Sequence, residues 1–329
     1  MKICIFGVGA IGSYLGAKLA KLPRSEVQVT LIARGEKLKA LQNNGLKLEE
    51  NGTSETIDNF FATDDVNAVE PQDVIFVTVK AQSVPKVAPS LPALSGSETM
   101  VVMAQNGIPW WYFRKMDGEY QDRQIRSVDP NGTIESNVPI KQVIGCIVYP
   151  ATELVAPGVV RHIEGNRFSL GELDGTKSDR LKKLSQVLQQ AGLKAPVRRQ
   201  IRNELWIKLW GNMAFNPISA LSGATLESIC EYSLTRELAR NMMLEAKEIG
   251  EKLGVKFGIS LEKRIEGAKE VGAHKTSMLQ DIEAGRSTEI DALVGAVIEL
   301  GELTDTPTPH LSSIYASVKL LEQTVVNSV

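Results

Sequence analysis

Apolar residues follow two regimes along this chain. As far as residue 170 they come in short runs rich in Val and Ile, at 2–6, 27–32, 73–79 and 99–104. Helix-like stretches at 10–21, 36–41 and 84–94 separate them. Uninterrupted apolar strands joined by helical connections predict a parallel sheet covered on both faces. Between 142 and 170 the pattern shortens to three β-like segments, with turns marked by Gly158 and by Glu164-Gly165-Asn166. After Lys177 the spacing is helical almost to the end, punctuated by Pro217, Gly254, Pro307 and Pro309. The expectation is α/β: a doubly wound sheet over 1–198, followed by an all-helical domain over 199–329.

The first strand runs directly into Gly7-Val8-Gly9-Ala10-Ile11-Gly12, which opens a helix. In such a GxGxxG turn the first glycine permits the tight bend and the second lets the backbone approach a pyrophosphate. The third allows close packing of helix on strand, and the helix N-terminus offers N–H groups and partial positive charge to phosphates. With a strand before it and a helix after it, the motif predicts a Rossmann-type dinucleotide site formed by Gly7, Val8, Gly9, Ala10, Ile11 and Gly12. The second strand ends Leu31-Ile32-Ala33-Arg34, without the carboxylate that would bind an NAD ribose. Arg34 stands where it can pair with a 2′-phosphate, so NADP(H) is the expected cofactor. Two other strand ends, Val79-Lys80 and Gln105-Asn106-Gly107, make Lys80 and Asn106 candidates for cofactor or substrate contact, against the plainer readings of a solvated lysine and a turn.

A second constellation lies in the helical half. In the segment 203–217, Lys208, Asn212 and Asn216 are spaced i, i+4, i+8 and form a polar row on an otherwise apolar helix. Such groups need partners or a ligand, because unpaired buried polar groups are costly. A partly desolvated lysine with a lowered pKa suits proton donation to a nascent alkoxide. The bland alternative is a lysine reaching solvent and asparagines satisfied by backbone. Glu289, four residues before Leu293 and beside Ile290, Val294 and Val297, borders an apolar face, whereas Asp291 is expected to face outward. Glu289 reads as an acceptor for substrate or a partner for Lys208.

Composition narrows the function classes. The 329 residues suffice for two domains. Lys plus Arg number 37 against 39 Asp plus Glu, a net charge of −2, which gives no reason to expect nucleic acid or an anionic membrane as partner. Cys4, Cys146 and Cys230 are widely spaced and fit buried thiols in a reducing compartment. The three histidines show no ligand spacing with them, so no metal is expected. Glycines break the apolar N-terminus, and no run approaches the ~18 apolar residues of a membrane span; a cytoplasmic protein is expected. Apolar helices such as 293–300 suit packing within the chain or across a homodimer, and both stay open.

Taken together, Gly7–Gly12, Val79-Lys80-Ala81, Gln105-Asn106-Gly107 and the segments 204–221 and 277–291 resemble the ketopantoate reductase family along essentially the whole chain. That resemblance implies NADPH-dependent reduction of a 2-oxo acid, ketopantoate, to pantoate on the route to pantothenate and coenzyme A. It implies Lys208 as the general acid and Glu289 as the group that holds the substrate hydroxyl. Asn106, Asn212, Asn216 and Ser277 would bind substrate, and Arg34 and Lys80 would hold cofactor. One departure is an insertion at about 108–141, which opens with Ile108-Pro109-Trp110-Trp111-Tyr112-Phe113. Its aromatics form a pocket wall, a lid or a small satellite core. A wall would favour a bulkier 2-oxo acid or related carbonyl. A non-catalytic NADPH sensor is a further alternative, opposed by the presence of Lys208, Glu289 and both asparagines together.

Overall fold

The computed structural model describes residues 1–326. In chain order its strands are β1 (Lys2–Phe6), β2 (Gln28–Ile32), β3 (Leu46–Glu50), β4 (Thr53–Ile57), β5 (Phe61–Thr63), β6 (Gln72–Val77), β7 (Ser95–Met103), β8 (Val143–Val148), β9 (Ala151–Ala156), β10 (Val159–Glu164) and β11 (Phe168–Gly171). The helices are α1 (Ala10–Ala20), α2 (Gly35–Asn44), α3 (Val84–Val87), α4 (Thr133–Asn137), α5 (Asp179–Gln190), α6 (Ile201–Ser222), α7 (Leu226–Glu231), α8 (Ser233–Lys252), α9 (Leu261–Lys269), α10 (Ser277–Glu283), α11 (Ala296–Leu303) and α12 (Pro309–Val326). They form two compact units. One comprises residues 1–105, 113–123 and 132–201, the other 106–112, 124–131 and 202–329.

The first unit holds a seven-stranded sheet in the order β11-β8-β7-β6-β1-β2-β5. β5, β2, β1, β6, β7 and β8 are parallel, and β11 closes the edge antiparallel to β8. The order reverses between β1 and β6, the switch point at which doubly wound sheets bind ligands beyond the carboxyl ends of their strands. The central strands are buried throughout, as their Val- and Ile-rich sequences require: Ile3, Ile5, Val74, Phe76 and Val102 are all inaccessible.

A second sheet, β4-β3-β10-β9, was not foreseen from hydropathy. β3 and β4 form a hairpin whose turn, Asn51-Gly52, has both residues at positive φ (51° and 75°), the geometry that an Asn-Gly pair adopts most readily. β4 is mostly exposed, so its sequence Thr-Ser-Glu-Thr-Ile lacks an apolar run. The stretch 142–170 accordingly holds four strands, two to each sheet, where three were expected. The tail of this unit is also less helical than expected, since Lys194 and Val197 bridge to Arg167 and Leu170 beside β11.

α1 meets the second sheet through a polar clasp. Lys18 Nζ lies 3.0 Å from Glu50 Oε2, the Tyr14 ring stacks on His162 at 4.7 Å, and His162 Nδ1 is 3.4 Å from Glu50 Oε1. Burial raises the Glu50 pKa, but the hydrogen bond and charge of Lys18, aided by His162 and Lys21, outweigh it and hold the carboxyl below its usual range.

In the second unit α6 runs unbroken through Pro217, which was expected to interrupt it. Pro217 lacks the N–H that would bond the Met213 carbonyl, so packing maintains the helix there. Trp206 and Trp210 meet Phe257 at ring-centroid distances of 6.2 and 4.6 Å, and Trp210 Nε1 donates to the Met243 carbonyl at 2.6 Å. The start of the aromatic insertion joins this core. Trp206 Nε1 donates to Tyr112 Oη at 2.7 Å, and Trp110, Trp111 and Tyr112 are each at most 4% exposed. Burial pushes the Tyr112 hydroxyl up to about 12, so it stays protonated. Glu299 of α11 accepts from the Arg126 and Ser127 amides, both at 2.8 Å, which anchors the loop 124–131. Among the described residues no helix is long and apolar enough to cross a membrane.

Because the folded-state pKa of Glu50 is depressed, its stabilising contribution is present at neutral pH and is lost as pH falls through the folded value. Glu50→Gln should therefore lower the thermal unfolding midpoint at pH 7, and the gap from wild type should close below pH 4. A gap of constant size from pH 7 to pH 3 would show that the clasp does not act through this charge.

Candidate active site

The glycine loop occupies the switch point of the first unit. Thr78 Oγ1 donates to the Gly7 carbonyl at 2.6 Å, and the Thr78 amide donates to the Phe6 carbonyl at 3.0 Å, which ties the end of β6 to the end of β1. A Cβ at Gly12 would stand 2.1 Å from the Gly7 carbonyl oxygen and 2.6 Å from Thr78 Oγ1, so only glycine lets α1 start this close to the strand. A Cβ at Gly9 would meet nothing within 4 Å, which leaves that side of the turn open. Gly9 caps α1 without a side-chain hydrogen bond, and the first turn carries no acidic residue. Loop and helix end therefore fit the pyrophosphate of a dinucleotide.

Arg34 follows β2, caps α2 and is exposed. Lys80 follows β6, is half-buried, and precedes the short turn Ala81–Ser83. Gln105 Nε2 donates to the carbonyls of Val77 (2.6 Å) and Val79 (3.1 Å) and so links the β7 and β6 ends.

Three of the candidates meet in the second unit. Lys208 Nζ donates to Asn106 Oδ1 at 2.7 Å, and Asn106 Nδ2 donates to Glu289 Oε2 at 3.0 Å. Charge fixes the amide orientation, since the reverse would turn its NH2 toward an ammonium and its oxygen toward a carboxylate. Glu289 is 8% exposed; Lys208 and Asn106 are half-buried.

Asn212 and Asn216 continue the row along α6, and Asn216 is 7% exposed. Among the described residues neither side-chain amide has a protein hydrogen-bond partner. Ser277 is placed differently: it is exposed at the first position of α10, and the buried Thr276 makes the cap there, accepting from the Leu279 amide. Asp291, expected to face outward, is 37% exposed but engaged by Tyr315 and Lys319.

Two features escaped the sequence reading. Glu289 lies at a bend just before a wide helical turn, Asp291–Gly295, rather than within a regular α-helix. The Arg264 guanidinium of α9 lies against Gly211, where a Cβ would come within 1.9 Å of it, and so adds a cation beside the row. Only the unexplained glycine inside an apolar helix signalled it.

Gly107 makes the Asn106 bridge feasible. Its φ is +86°, a Cβ would lie 2.4 Å from the Ala292 carbonyl oxygen, and the Ile108 amide donates to that same oxygen at 2.8 Å. The backbone after Asn106 thus touches the turn after Glu289. Gly107→Ala meets both an unfavourable φ and a backbone collision, and should cost roughly 1–3 kcal/mol of stability. Thermal or denaturant unfolding measures this, and an unchanged midpoint would contradict the close approach.

The comparisons with known proteins agree with one another. Residues 3–175 match the family described as Ketopantoate reductase PanE/ApbA, and residues 200–322 match its C-terminal domain. A 2-dehydropantoate 2-reductase of Mesorhizobium japonicum is 50% identical over 321 residues, 98% of each chain. The crystal structure of a Ralstonia solanacearum protein has a TM-score of 0.93 at 41% identity, covering 98% of both chains. D-mandelate dehydrogenase in a ternary structure with NADH and anilino(oxo)acetate shares the fold, with a TM-score of 0.84 at 23% identity and 99% coverage of both. Two family matches that span nearly the whole sequence, together with a relative of 50% identity, place this chain in the ketopantoate reductase family.

Proposed function

We propose that the protein reduces 2-dehydropantoate (ketopantoate) to pantoate with NADPH. The observation that carries this reading is the chain Lys208–Asn106–Glu289, a protonated amine and a carboxylate held in register by one amide. Bound NADPH supplies the hydride. Lys208 donates a proton to the carbonyl oxygen as negative charge develops there, and the product leaves as the alcohol. Glu289 accepts a hydrogen bond from the substrate hydroxyl and, through Asn106, fixes the direction of the Lys208 ammonium. Asn212 and Asn216 bind the remaining polar groups, with Ser277 assigned to the same task by family resemblance. The substrate is an anion, and Lys208 and Arg264 are the cations on or beside the α6 row.

Gly7–Gly12 would hold the cofactor pyrophosphate. Arg34, exposed at the end of β2, would take the 2′-phosphate, and Lys80 would contribute a second cation. The position of Tyr112 in the aromatic insertion favours the small substrate over a bulkier 2-oxo acid. Tyr112 is bonded to Trp206, which is two residues and so about 200° around α6 from Lys208. It therefore packs on the face opposite the polar row. The same reading carries a cytoplasmic location, which suits three buried cysteines that form no disulfide, and a homodimer.

NADPH oxidation by the purified protein should saturate with ketopantoate. Lys208→Ala should lose ~10²–10⁴ in turnover while NADPH binding persists. Full turnover in that variant would remove Lys208 from the chemistry; an inactive wild type that binds NADPH would remove ketopantoate as the substrate. Arg34→Ala should weaken NADPH by at least about tenfold with little effect on NADH, a bidentate phosphate contact being lost. Equal losses for both cofactors would show that Arg34 does not read the phosphate.

A further inference from the structure

Glu289 sits at a bend between two helical segments. The chain bends through 286–289, enters the wide turn Asp291–Gly295, in which the Ala296 amide bonds the Asp291 carbonyl, and then continues as α11. Wide turns inside helices are rare and need support from neighbours. The amides at the start of a helix also have no intrahelical acceptors.

Helix α12 provides the support on both sides of Glu289. One residue before it, the amide of Thr288, itself 2% exposed, donates to Glu322 Oε1. Two residues after it, Asp291 Oδ1 accepts from Tyr315 Oη at 2.7 Å, and Lys319 Nζ lies 3.2 and 3.1 Å from the two Asp291 oxygens. Lys319 also reaches Glu322 at 3.7 Å, and Glu322 is only 13% exposed. The Tyr315 ring packs on Gly295, where a Cβ would come within 3.0 Å of it. Positions 315, 319 and 322 share one helix face, so a single rigid element grips the backbone amide of Thr288 and the carboxylate of Asp291.

We infer that Tyr315, Lys319 and Glu322 are positioning residues for Glu289. They fix where its carboxylate meets Asn106 and the substrate hydroxyl, and Glu322 is the principal contact because it holds the adjoining residue. This rests on the proposed role of Glu289 in substrate binding. Misplacing such a group by about 1 Å suffices for a large kinetic loss.

A double-mutant cycle on the full-length protein tests it, with ketopantoate and NADPH as substrates. Glu322→Ala should lower kcat/KM for ketopantoate by about tenfold or more. The loss should fall mainly on KM, and the NADPH dissociation constant should stay within about twofold of wild type. Glu322→Gln keeps an oxygen for the Thr288 amide and should recover most of the loss. Tyr315→Phe, which keeps the ring on Gly295, should move KM in the same direction by less. In a Glu289→Ala background, Glu322→Ala should change kcat/KM by less than about twofold, since the group it positions is gone. An equal loss in both backgrounds, or a loss that Gln fails to recover, overturns the inference. Full activity in Glu289→Ala alone would instead overturn the role of Glu289, and with it this proposal.

Discussion

One amide holds the chemistry of the helical unit together. Asn106 accepts from an ammonium and donates to a carboxylate, so it satisfies Lys208 and Glu289 at once. A direct buried ion pair would neutralise both charges, and its desolvation cost often equals its attraction. An amide between them keeps each charge hydrogen-bonded without bringing the two into direct contact. The arrangement tolerates little movement, because the two hydrogen bonds point in different directions from one planar group. Gly107 serves the same constraint from the backbone side, by allowing contact with Ala292.

The switch point of the sheet obeys an analogous rule of close approach. Gly7, Gly12 and Thr78 are packed so tightly that no Cβ fits at either glycine: one at Gly7 would lie 2.4 Å from the Val79 side chain. Dense packing on the strand side and open space at Gly9 give the turn one face for the protein and one for a ligand. Affinity for a diphosphate then comes from backbone N–H groups and the helix end, which needs no basic side chain within the loop.

Much of this was legible because it follows local rules. The GxGxxG turn reads from its flanking strand and helix, and the row Lys208, Asn212, Asn216 reads from helical spacing. The β3–β4 half of the second sheet was hidden because β4 is solvated, leaving no apolar run to see; the Asn51-Gly52 turn was its local clue. Pro217 misled in the opposite direction, since the buried packing of Trp210, Met213 and Phe215 keeps α6 intact where local propensity would end it. The bend at Glu289 depends on α12, some thirty residues further on, and no local window contains that partner.

The insertion shows how the chain assigns residues to bodies. Asn106 follows a sheet strand, yet 106–112 and 124–131 belong to the helical unit, and the division falls between Gln105 and Asn106. Gln105 is tied to the β6 carbonyls, while the next residue is tied to Lys208 and Glu289. Beyond it, Tyr112 is locked to Trp206, and Glu299 holds Arg126 and Ser127. Within the second unit, 106–112 and 124–131 are thus held by Trp206 of α6 and Glu299 of α11. Lys208, Asn106 and Glu289 are then parts of one packed body, so their mutual geometry is set by that body's own core.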